Sequence, residues 1–421
     1  MADSISDVAA KAFVAQPCSS VGFQEMIWKK QCVYIWVKPR KPNAEIHMRK
    51  EFIMHQLIIL GNGFDLTCGL KSKFSDFYRD RTSGSFSVES IPEDERKAWD
   101  MILAEKGQDD PLWCDIESLI SAFVFQEDEL GSRLDRMLSV TGLAIDLSST
   151  IPFPRPKDDL YKFVSTQLGK EDVSQAELTS YLLSSLKKYE RIFARYLEEQ
   201  VEENEDYREK AAVYFSAIRD ACIEESQQKN YESSILNFNY TTPFKSEDPK
   251  LGIVAARNIH GSLGRTDIIF GIDGKDVAED DPALPFTKTY RLMSLEPYKS
   301  ETVKLCDSDT GFIKIFGHSL SRADYSYFQS IFDTVNLYGG DTKLVFLYKK
   351  YPNKPDKTVD EQAIREELYS RISHLLYEYG STLDNKDHGK NLMHKLLLEQ
   401  RLLIKDIDEN KSVLPSNVYL P

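Results

Sequence analysis

The pattern of apolar residues between positions 57 and 78 predicts a buried strand, a glycine turn and a helix. Residues 57–60 are all apolar, which is typical of a strand in a parallel sheet, where both faces are covered. Gly61 and Gly63 follow at once, and glycine lets the backbone turn sharply and approach a ligand closely. Apolar residues then recur at helical spacing: Leu70, Phe74, Phe77 and Tyr78. This order of elements predicts the opening of a nucleotide-binding α/β unit.

The turn by itself does not identify a dinucleotide site. The G-x-G-x-x-G fingerprint needs a third glycine, and Leu66 stands at that position. A turn that only packs the strand against the helix fits this segment equally well.

Further short apolar runs predict the remaining strands. Each run ends in polar residues or glycine, and the runs lie at 234–240, 258–261, 267–273, 311–320 and 343–351. Repeated strand–turn–helix units predict an α/β fold with a mostly parallel, Rossmann-like sheet. Ligands of such sheets bind at the carboxyl ends of the strands.

Two regions show helical periodicity instead. Residues from about 87 to 232 are polar with apolar positions at helical spacing, which predicts a large helical insertion within an α/β domain spanning 54–350. Residues 351–421 are predicted to form a helical C-terminal region. One apolar stretch of this region contains Leu392, Leu396, Leu397, Leu403 and Ile404.

Residues 1–53 differ from the rest of the chain because Lys and Arg outnumber Asp and Glu there. Met54 stands three residues before the first predicted strand, so we expect residues 1–53 to be a mobile extension or the product of an upstream start. The alternative is that residues 31–37, QCVYIWV, form an additional edge strand.

Charge and cysteine content narrow the class of protein. A net charge of −14 argues against a general binder of nucleic-acid backbones, which needs clustered Lys and Arg. The six cysteines form no C-x-x-C or other metal-site spacing, which is typical of a reduced cytosol. No apolar run approaches the about 18 residues that span a bilayer, so we expect a cytoplasmic protein without a membrane segment.

Polar residues cluster in four turns that follow predicted strands. The turns are GNGFD at 61–65, FNYT at 238–241, IHG at 259–261 and GHSL at 317–320. Asn239 alone would read as a helix cap and His260 alone as a buried turn residue. Because the carboxyl ends of parallel strands meet at one edge of a sheet, the four turns together predict one site.

These segments resemble the bacteriophage abortive infection AbiH family. The resemblance rests on LIILGNGFDLTCGLKSKFSDF, ILNFNYTTPF, NIHGSLGRTDIIFGID and IFGHSLSRADYSYF, and it covers roughly residues 54–350. The opening motif, G-N-G-F-D followed by G-L and an aromatic-rich helix, is distinctive. The resemblance implies a role in antiphage defence, with a phage-derived trigger or a partner defence protein. The surfaces of the helical C-terminal region suggest self-association into a homo-oligomer.

The same turns are more distantly similar to sirtuin-like NAD-binding domains. There a glycine turn, an Asn at a strand end, a His before Gly and a G-x-S-L turn line one NAD pocket in the same order. The chain departs from sirtuins at Asn62, Phe64 and Asp65, has a long insertion before Asn239, and lacks the four-cysteine zinc module. Protein deacylation is therefore not expected, whereas NAD cleavage is.

The sirtuin-like resemblance implies a role for each site residue. His260 suits a general base near neutral pH, and Asn239 would orient water or ribose hydroxyls as the second catalytic residue. His318 is a lower-ranked candidate base, and Asp324 either caps a helix or reaches the site. The residues expected to contact NAD are Gly61, Asn62, Gly63, Phe64, Asp65, Gly317, His318, Ser319, Leu320 and Asp324.

Three functions remain open from the sequence. The first is an NAD-hydrolysing effector of abortive infection. The second is a sensor that binds NAD or a related nucleotide without cleaving it and controls a partner effector. The third is nuclease or nucleotidyl chemistry, for which only the single carboxylates Asp65, Asp273 and Asp324 stand at strand ends.

Overall fold

The computed structural model describes most of the chain from Met54 to Asp408. The described residues are 54–84, 88–109, 116–117, 120, 157–224, 231–245, 247–264, 267–275, 277–279, 281, 283–293, 304–353 and 358–408. The predictions for residues 1–53, including the edge strand at 31–37, lie outside this part of the chain and stay predictions.

Six parallel strands form the central sheet, in the order β3-β2-β1-β4-β5-β6. The strands are β1 (Met54–Leu60), β2 (Tyr231–Asn237), β3 (Ile253–Asn258), β4 (Thr310–Phe316), β5 (Lys343–Tyr348) and β6 (Leu402–Asp406). This is the strand order of doubly wound Rossmann folds. The predicted α/β class and parallel sheet are confirmed.

Along the described part of the chain, the helices lie between β1 and β6. Before β2 come α1 (Asn62–Thr67), α2 (Phe74–Arg81), α3 (Ala98–Asp109), α4 (Lys157–Leu168), α5 (Gln175–Glu203) and α6 (Tyr207–Asp220). After β3 come α7 (Lys288–Met293), α8 (Tyr325–Thr334), α9 (Glu361–Thr382) and α10 (Lys386–Leu398). Residues 116–117 and 120 are also helical. Not one of the helices in the described ranges is both long and apolar enough to cross a membrane.

Strand β1 is buried on both faces, as its unbroken apolar run predicts. Leu57 and Ile59 lie on the face covered by α8, α9 and α10, within the apolar cluster that contains Phe328. Ile58 and Leu60 lie on the opposite face, within the cluster that contains Phe215 of α6. Successive residues of a strand point to opposite faces, so a central strand of a three-layer fold must be apolar throughout.

Two predicted elements are wrong in type, and the strand predicted at 258–261 lies earlier, because β3 spans Ile253–Asn258. Residues 267–273 make no strand; Ile268 and Phe270 are buried among the inserted helices, and only Ile272 bridges to Thr287. Leu403 and Ile404 belong to strand β6 rather than to a C-terminal helix. Short apolar runs fit a strand or a buried loop equally well, so their neighbours decide the outcome.

The first predicted helix is also divided. Helix α1 spans Asn62–Thr67, Cys68 and Gly69 form a turn, and α2 begins only at Phe74. Gly69 has φ +92°, a left-handed conformation that ends α1 and that glycine adopts at little cost. The helical spacing of Leu70 with Phe74 is therefore a coincidence of two separate segments.

The inserted helices have an apolar core of their own, which the segment before α7 joins. Trp99 of α3 is fully buried and donates its indole N–H to the carbonyl of Leu182 at 3.0 Å. Phe193 of α5 packs against Phe270 with ring centroids 5.4 Å apart. Helices α2 to α6 lie between β1 and β2 along the chain. The domain boundaries at 54, 87, 232 and 350 stay predictions.

Candidate functional site

The glycine turns after β1 and β4 meet at the point where the strand order reverses. The Gly61 N–H donates to the carbonyl of Phe316 at 3.0 Å, and the Gly63 N–H donates to the carbonyl of Gly317 at 2.8 Å. A Cβ on Gly63 would lie 2.6 Å from the Cα of Gly317, which no side chain tolerates. These positions are glycine because two backbones touch there, next to the crevice in which doubly wound folds bind ligands.

This contact changes the expected role of the first turn. The N–H groups of Gly61 and Gly63 bond to the β4 turn, and the Phe64 N–H bonds to the carbonyl of Gly61 at 2.8 Å. The exposed Asn62 bonds to Ser72, whose hydroxyl donates to Asn62 Oδ1 at 2.5 Å. The backbone N–H groups of Gly61 and Gly63 are therefore used within the protein, so a contact of these residues with NAD would have to involve other atoms.

Asp65 connects three parts of the molecule. Its carboxylate is buried and accepts hydrogen bonds from Tyr207 Oη of α6 and from Thr241 Oγ1 after β2, each at 2.8 Å. Burial raises the pKa of Asp65 to about 6 in spite of these two bonds. Through these bonds Asp65 joins the first turn to α6 and to the turn after β2.

Asn239 lies at the end of β2 and is buried against the glycine turn. Its side-chain Nδ2 donates to the carbonyl of Gly61 at 3.1 Å, and its own carbonyl accepts from Asn258 Nδ2 at 2.7 Å. Asn237 also accepts from the Asn239 backbone N–H through its Oδ1 at 3.1 Å. One half of the Asn239 amide thus holds the turn, which leaves Oδ1 for a hydrogen bond to a ligand.

His260 follows β3 and is 3% exposed. Its ring lies between Phe238 and Tyr327, with each pair of centroids 5.5 Å apart. The Nε2 atom is buried without a hydrogen-bond partner, 3.5 Å from Asp324 Oδ1. Burial and the Lys288 ammonium lower the pKa of His260 to about 3, so its imidazole is neutral at pH 7.

His318 has both ring nitrogens occupied. Its Nδ1 accepts from the Leu320 N–H at 2.9 Å, so the imidazole proton resides on Nε2, which lies 3.5 Å from Asp324 Oδ2. Leu320 adopts φ +56° to make this bond. His318 is therefore poorly placed to accept a proton, which agrees with its lower rank as a base.

Asp324 is the centre of a charge cluster that the sequence did not reveal. Lys288 of α7 is 2% exposed and places Nζ 2.6 Å from Asp324 Oδ1 and 2.8 Å from Glu117 Oε1. Burial alone would raise the pKa of Asp324, but Lys288 and the bond to His318 outweigh it and hold the pKa below its usual range. The pKa of Lys288 is raised by its two carboxylates against the effect of burial.

No motif marks Lys288 or Glu117 in the sequence. Lys288 stands in FTKTYRLM and Glu117 in an ordinary amphipathic pattern, so only tertiary contacts bring them to the site. Tyr207 was equally unmarked, whereas Thr241 lies within the predicted FNYT turn.

A cavity of about 1110 Å³ opens over these residues at the carboxyl ends of β1, β2, β4 and β5. The predicted site residues that line it are Gly61, Asn62, Gly63, Asp65, Asn239, His260, Gly317, His318, Ser319 and Asp324. Lys349, Lys350 and Arg371 line the end near β5 and α9. The cavity is large enough for a dinucleotide, since ligand pockets typically measure about 300–1,000 Å³.

Two predicted contact residues lie elsewhere. Phe64 packs under the turn against Phe316 and Phe244, with ring centroids 6.4 and 5.9 Å apart. Leu320 is buried in the apolar cluster beneath α8. Neither side chain lines the cavity, because both are part of the core that supports the two turns.

The buried part of the site combines the carboxylates of Asp65 and Asp324, the imidazoles of His260 and His318, and the Lys288 ammonium. Within the described ranges, no three His, Cys, Asp or Glu side chains come together in a group that could hold a metal ion. The arrangement can hold a neutral polar ligand against Asn239 and His260 and can exclude water from His260.

A doubly wound sheet with paired glycine turns and a buried histidine defines a Rossmann-like α/β protein, with a cavity at the switch point where such folds commonly bind ligands. The family model described as bacteriophage abortive infection AbiH matches residues 57–348. The chain belongs to this family, as its motifs indicated. No curated protein and no solved structure matches the chain. The sirtuin-like resemblance stays a prediction.

Proposed function

We propose that this chain acts in abortive infection by binding NAD in the switch-point cavity and hydrolysing the bond between ribose and nicotinamide. The observation that supports this proposal is the convergence of Asn239 and His260 on one cavity beside the paired turns of Gly61 and Gly317. Ligands of doubly wound sheets bind at this position. The sirtuin-like order of the four turns suggests NAD as the ligand.

The proposed reaction needs little from the protein. Nicotinamide leaves with the electrons of the glycosidic bond, water adds to the ribose C1′, and one proton must be removed from that water. The free Oδ1 of Asn239 would orient the water, and the neutral His260 would receive its proton. Burial of His260 keeps bulk water away from the reacting carbon.

The test is an NAD turnover assay on the full chain, with and without extract from phage-infected cells. We expect wild-type turnover, and a loss of about 100-fold or more in His260→Ala and Asn239→Ala. His374→Ala is the matched control, because His374 lies half-exposed on α9, outside the cavity. Intact NAD in both conditions, with unchanged phage protection by His260→Ala in cells, would contradict hydrolysis.

A nucleotide sensor without turnover is the second candidate, and one observation favours it. The low pKa of His260, about 3, makes its imidazole a weak base. Such a protein would bind NAD or ADP-ribose unchanged and protect infected cells only together with a partner protein. Calorimetric binding without product formation would support the sensor and exclude the hydrolase.

The trigger and the assembly belong to the same proposal. We propose a phage-derived trigger or partner defence protein, a cytoplasmic site of action and a homo-oligomer. Light scattering of the purified chain tests self-association, and a monomer at micromolar concentration would exclude it.

A further inference from the structure

The Asp324 carboxylate is surrounded by three nitrogen atoms from different parts of the chain. Lys288 Nζ and His260 Nε2 both face Oδ1, at 2.6 and 3.5 Å, while His318 Nε2 faces Oδ2 at 3.5 Å. All four side chains are at least nine-tenths buried. A buried carboxylate in this position must be paired, because water does not solvate it.

The carboxylate selects the tautomer of each imidazole beside it. An imidazole nitrogen without a proton would direct its lone pair at a negative oxygen, whereas an N–H is attracted to it. The bond from the Leu320 N–H to His318 Nδ1 already requires the proton of His318 on Nε2. The same carboxylate favours the Nε2–H form of His260, although the 3.5 Å separation is longer than a normal hydrogen bond.

Lys288 determines whether Asp324 can act in this way. Without the ammonium, a carboxyl group this deeply buried would take up a proton, and a neutral acid would no longer impose a tautomer on its neighbours. Lys288 is itself held from the other side by Glu117 at 2.8 Å and by the Ala323 carbonyl at 3.2 Å. The ammonium is therefore fixed and cannot turn away from Asp324.

We propose that Lys288 is a positioning residue, which holds Asp324 as an anion so that His260 carries its proton on Nε2 and receives the proton of the attacking water on Nδ1. This inference rests on the proposed function for the reaction that it serves. In that reaction the C1′–N bond breaks, a C1′–O bond forms, and the water proton passes to Nδ1 and then to solvent. The imidazolium that forms is stabilised by Asp324, in the manner of an aspartate behind a catalytic histidine.

The first measurement is the ¹⁵N chemical shifts of the imidazoles in the wild-type protein, assigned with His260→Ala and His318→Ala. We expect the neutral imidazole of both residues to carry its proton on Nε2. A proton on Nδ1 of His260 would overturn the proposal. This measurement needs no substitution at Lys288 and no turnover.

The second measurement is the protonation of Asp324 in Lys288→Met, followed by the ¹³C chemical shift of its carboxyl group. The groups that face Asp324 are Lys288 from α7, His260 after β3 and His318 after β4, and Glu117 pairs with Lys288 from the other side. Without the ammonium we expect this carboxyl group to take up a proton at pH 7, where it is ionised in the wild type. An Asp324 that stays ionised in Lys288→Met would overturn the proposal.

The third measurement separates positioning from simple packing. We expect Lys288→Met to lower kcat at least about 10-fold with KM changed less than about 3-fold, because the lost interaction acts on the chemical step and not on binding. Lys275→Met is the matched control, since Lys275 pairs with Glu378 at 3.4 Å outside the cavity. If Lys288→Met does not fold, the wild-type tautomer decides the proposal.

The two proposals fail in different ways. A wild-type protein that leaves NAD intact overturns the hydrolase, while the tautomer of His260 still shows whether Lys288 and Asp324 orient it. NAD turnover with His260 protonated on Nδ1 overturns the role of Lys288 and leaves the hydrolase standing.

Discussion

At the scale of single residues, several residues that the sequence predicts to contact a ligand also hold the turns together. Gly61 and Gly63 bond to the β4 turn, and Asn239 bonds to the Gly61 carbonyl. The buried Asp65 carboxylate accepts hydrogen bonds from two hydroxyl groups. A substitution at any of these positions will alter stability as well as binding, so variants need matched controls.

Gly317→Ala is expected to destabilise the fold by more than about 2 kcal/mol. Gly317 has φ +72°, and a Cβ there would lie 2.4 Å from the backbone nitrogen of Phe64. The left-handed conformation and the contact with the facing backbone both oppose a side chain. Urea unfolding of both proteins measures the difference.

Gly169→Ala separates the cost of the left-handed conformation from the cost of the contact with the facing backbone. Gly169 has φ +64° but no atom within 4 Å of a Cβ. We expect it to cost only about 1 kcal/mol, the conformational part alone. Equal losses at Gly317 and Gly169 would show that the two turns do not touch in solution.

Asp65 should make stability depend on pH. Its pKa is about 6 in the fold against 3.8 for the unfolded chain, so the folded state binds its proton more tightly. Its contribution is therefore fully present below pH 3.8 and is lost as the pH rises through about 6. The maximal loss is about 3 kcal/mol, since one pKa unit corresponds to about 1.4 kcal/mol.

Comparison with Asp65→Asn isolates this effect. An amide does not titrate, so the free energy of unfolding of the wild type relative to the variant should fall between pH 4 and pH 7.5. Chemical denaturation across that range measures it. A difference that stays constant with pH would mean that Asp65 ionises in the fold as it does in water.

At the scale of elements, the inserted helices are attached to the α/β part by a buried ion pair. Glu190 of α5 and Arg291 of α7 are both almost fully buried, with Arg291 NH2 2.8 Å from Glu190 Oε2. Both also bond to the backbone of Phe270. This pair fixes α7, and α7 in turn holds Lys288 at the cavity.

Arg291→Met is expected to cost about 3–5 kcal/mol, because it leaves the Glu190 carboxylate buried without its partner. Arg191→Met is the control; the side chains of Arg191 and Asp267 are 64% and 62% exposed and 3.7 Å apart, so we expect less than about 0.5 kcal/mol. Denaturant unfolding compares them. Equal effects of the two substitutions would show that the Glu190–Arg291 pair is solvated.

At the scale of the whole molecule, the strand order creates the cavity. The chain leaves β1 toward β2 and leaves β4 toward β5, so the two connections diverge and open a crevice between them. Asp324, His260 and His318 line one part of this crevice. The residues Lys349, Lys350 and Arg371 line another part. In the proposed complex, the anionic part of NAD would lie toward Lys349, Lys350 and Arg371 and a neutral polar part toward Asn239 and His260.

NAD is expected to stabilise the whole chain against unfolding. A ligand that binds only the folded state at 100 times its Kd adds about 2.7 kcal/mol. Thermal and urea unfolding with and without NAD measure the gain. Ser319→Trp should abolish it with little effect on the free protein, because Ser319 is exposed and lines the cavity. A gain that Ser319→Trp retains would place NAD elsewhere.

The local sequence determined the parts of the fold that depend on neighbouring residues. The apolar run of β1, the glycine turns at Gly61 and Gly317, and the α/β class followed from periodicity and residue type, because burial on both faces and backbone contact restrict what can stand there. The same information placed Asn239 and His260 at strand ends.

Tertiary structure alone decided the rest. Residues 267–273 and β6 have short apolar runs, and such runs become strand or buried loop according to what packs against them. Lys288 and Glu117 reach Asp324 from distant segments, and no local pattern encodes a contact between residues so far apart in sequence. The glycine motifs predicted where a site lies, whereas the groups that set the charge of His260 depend on how the inserted helices and α7 fold over it.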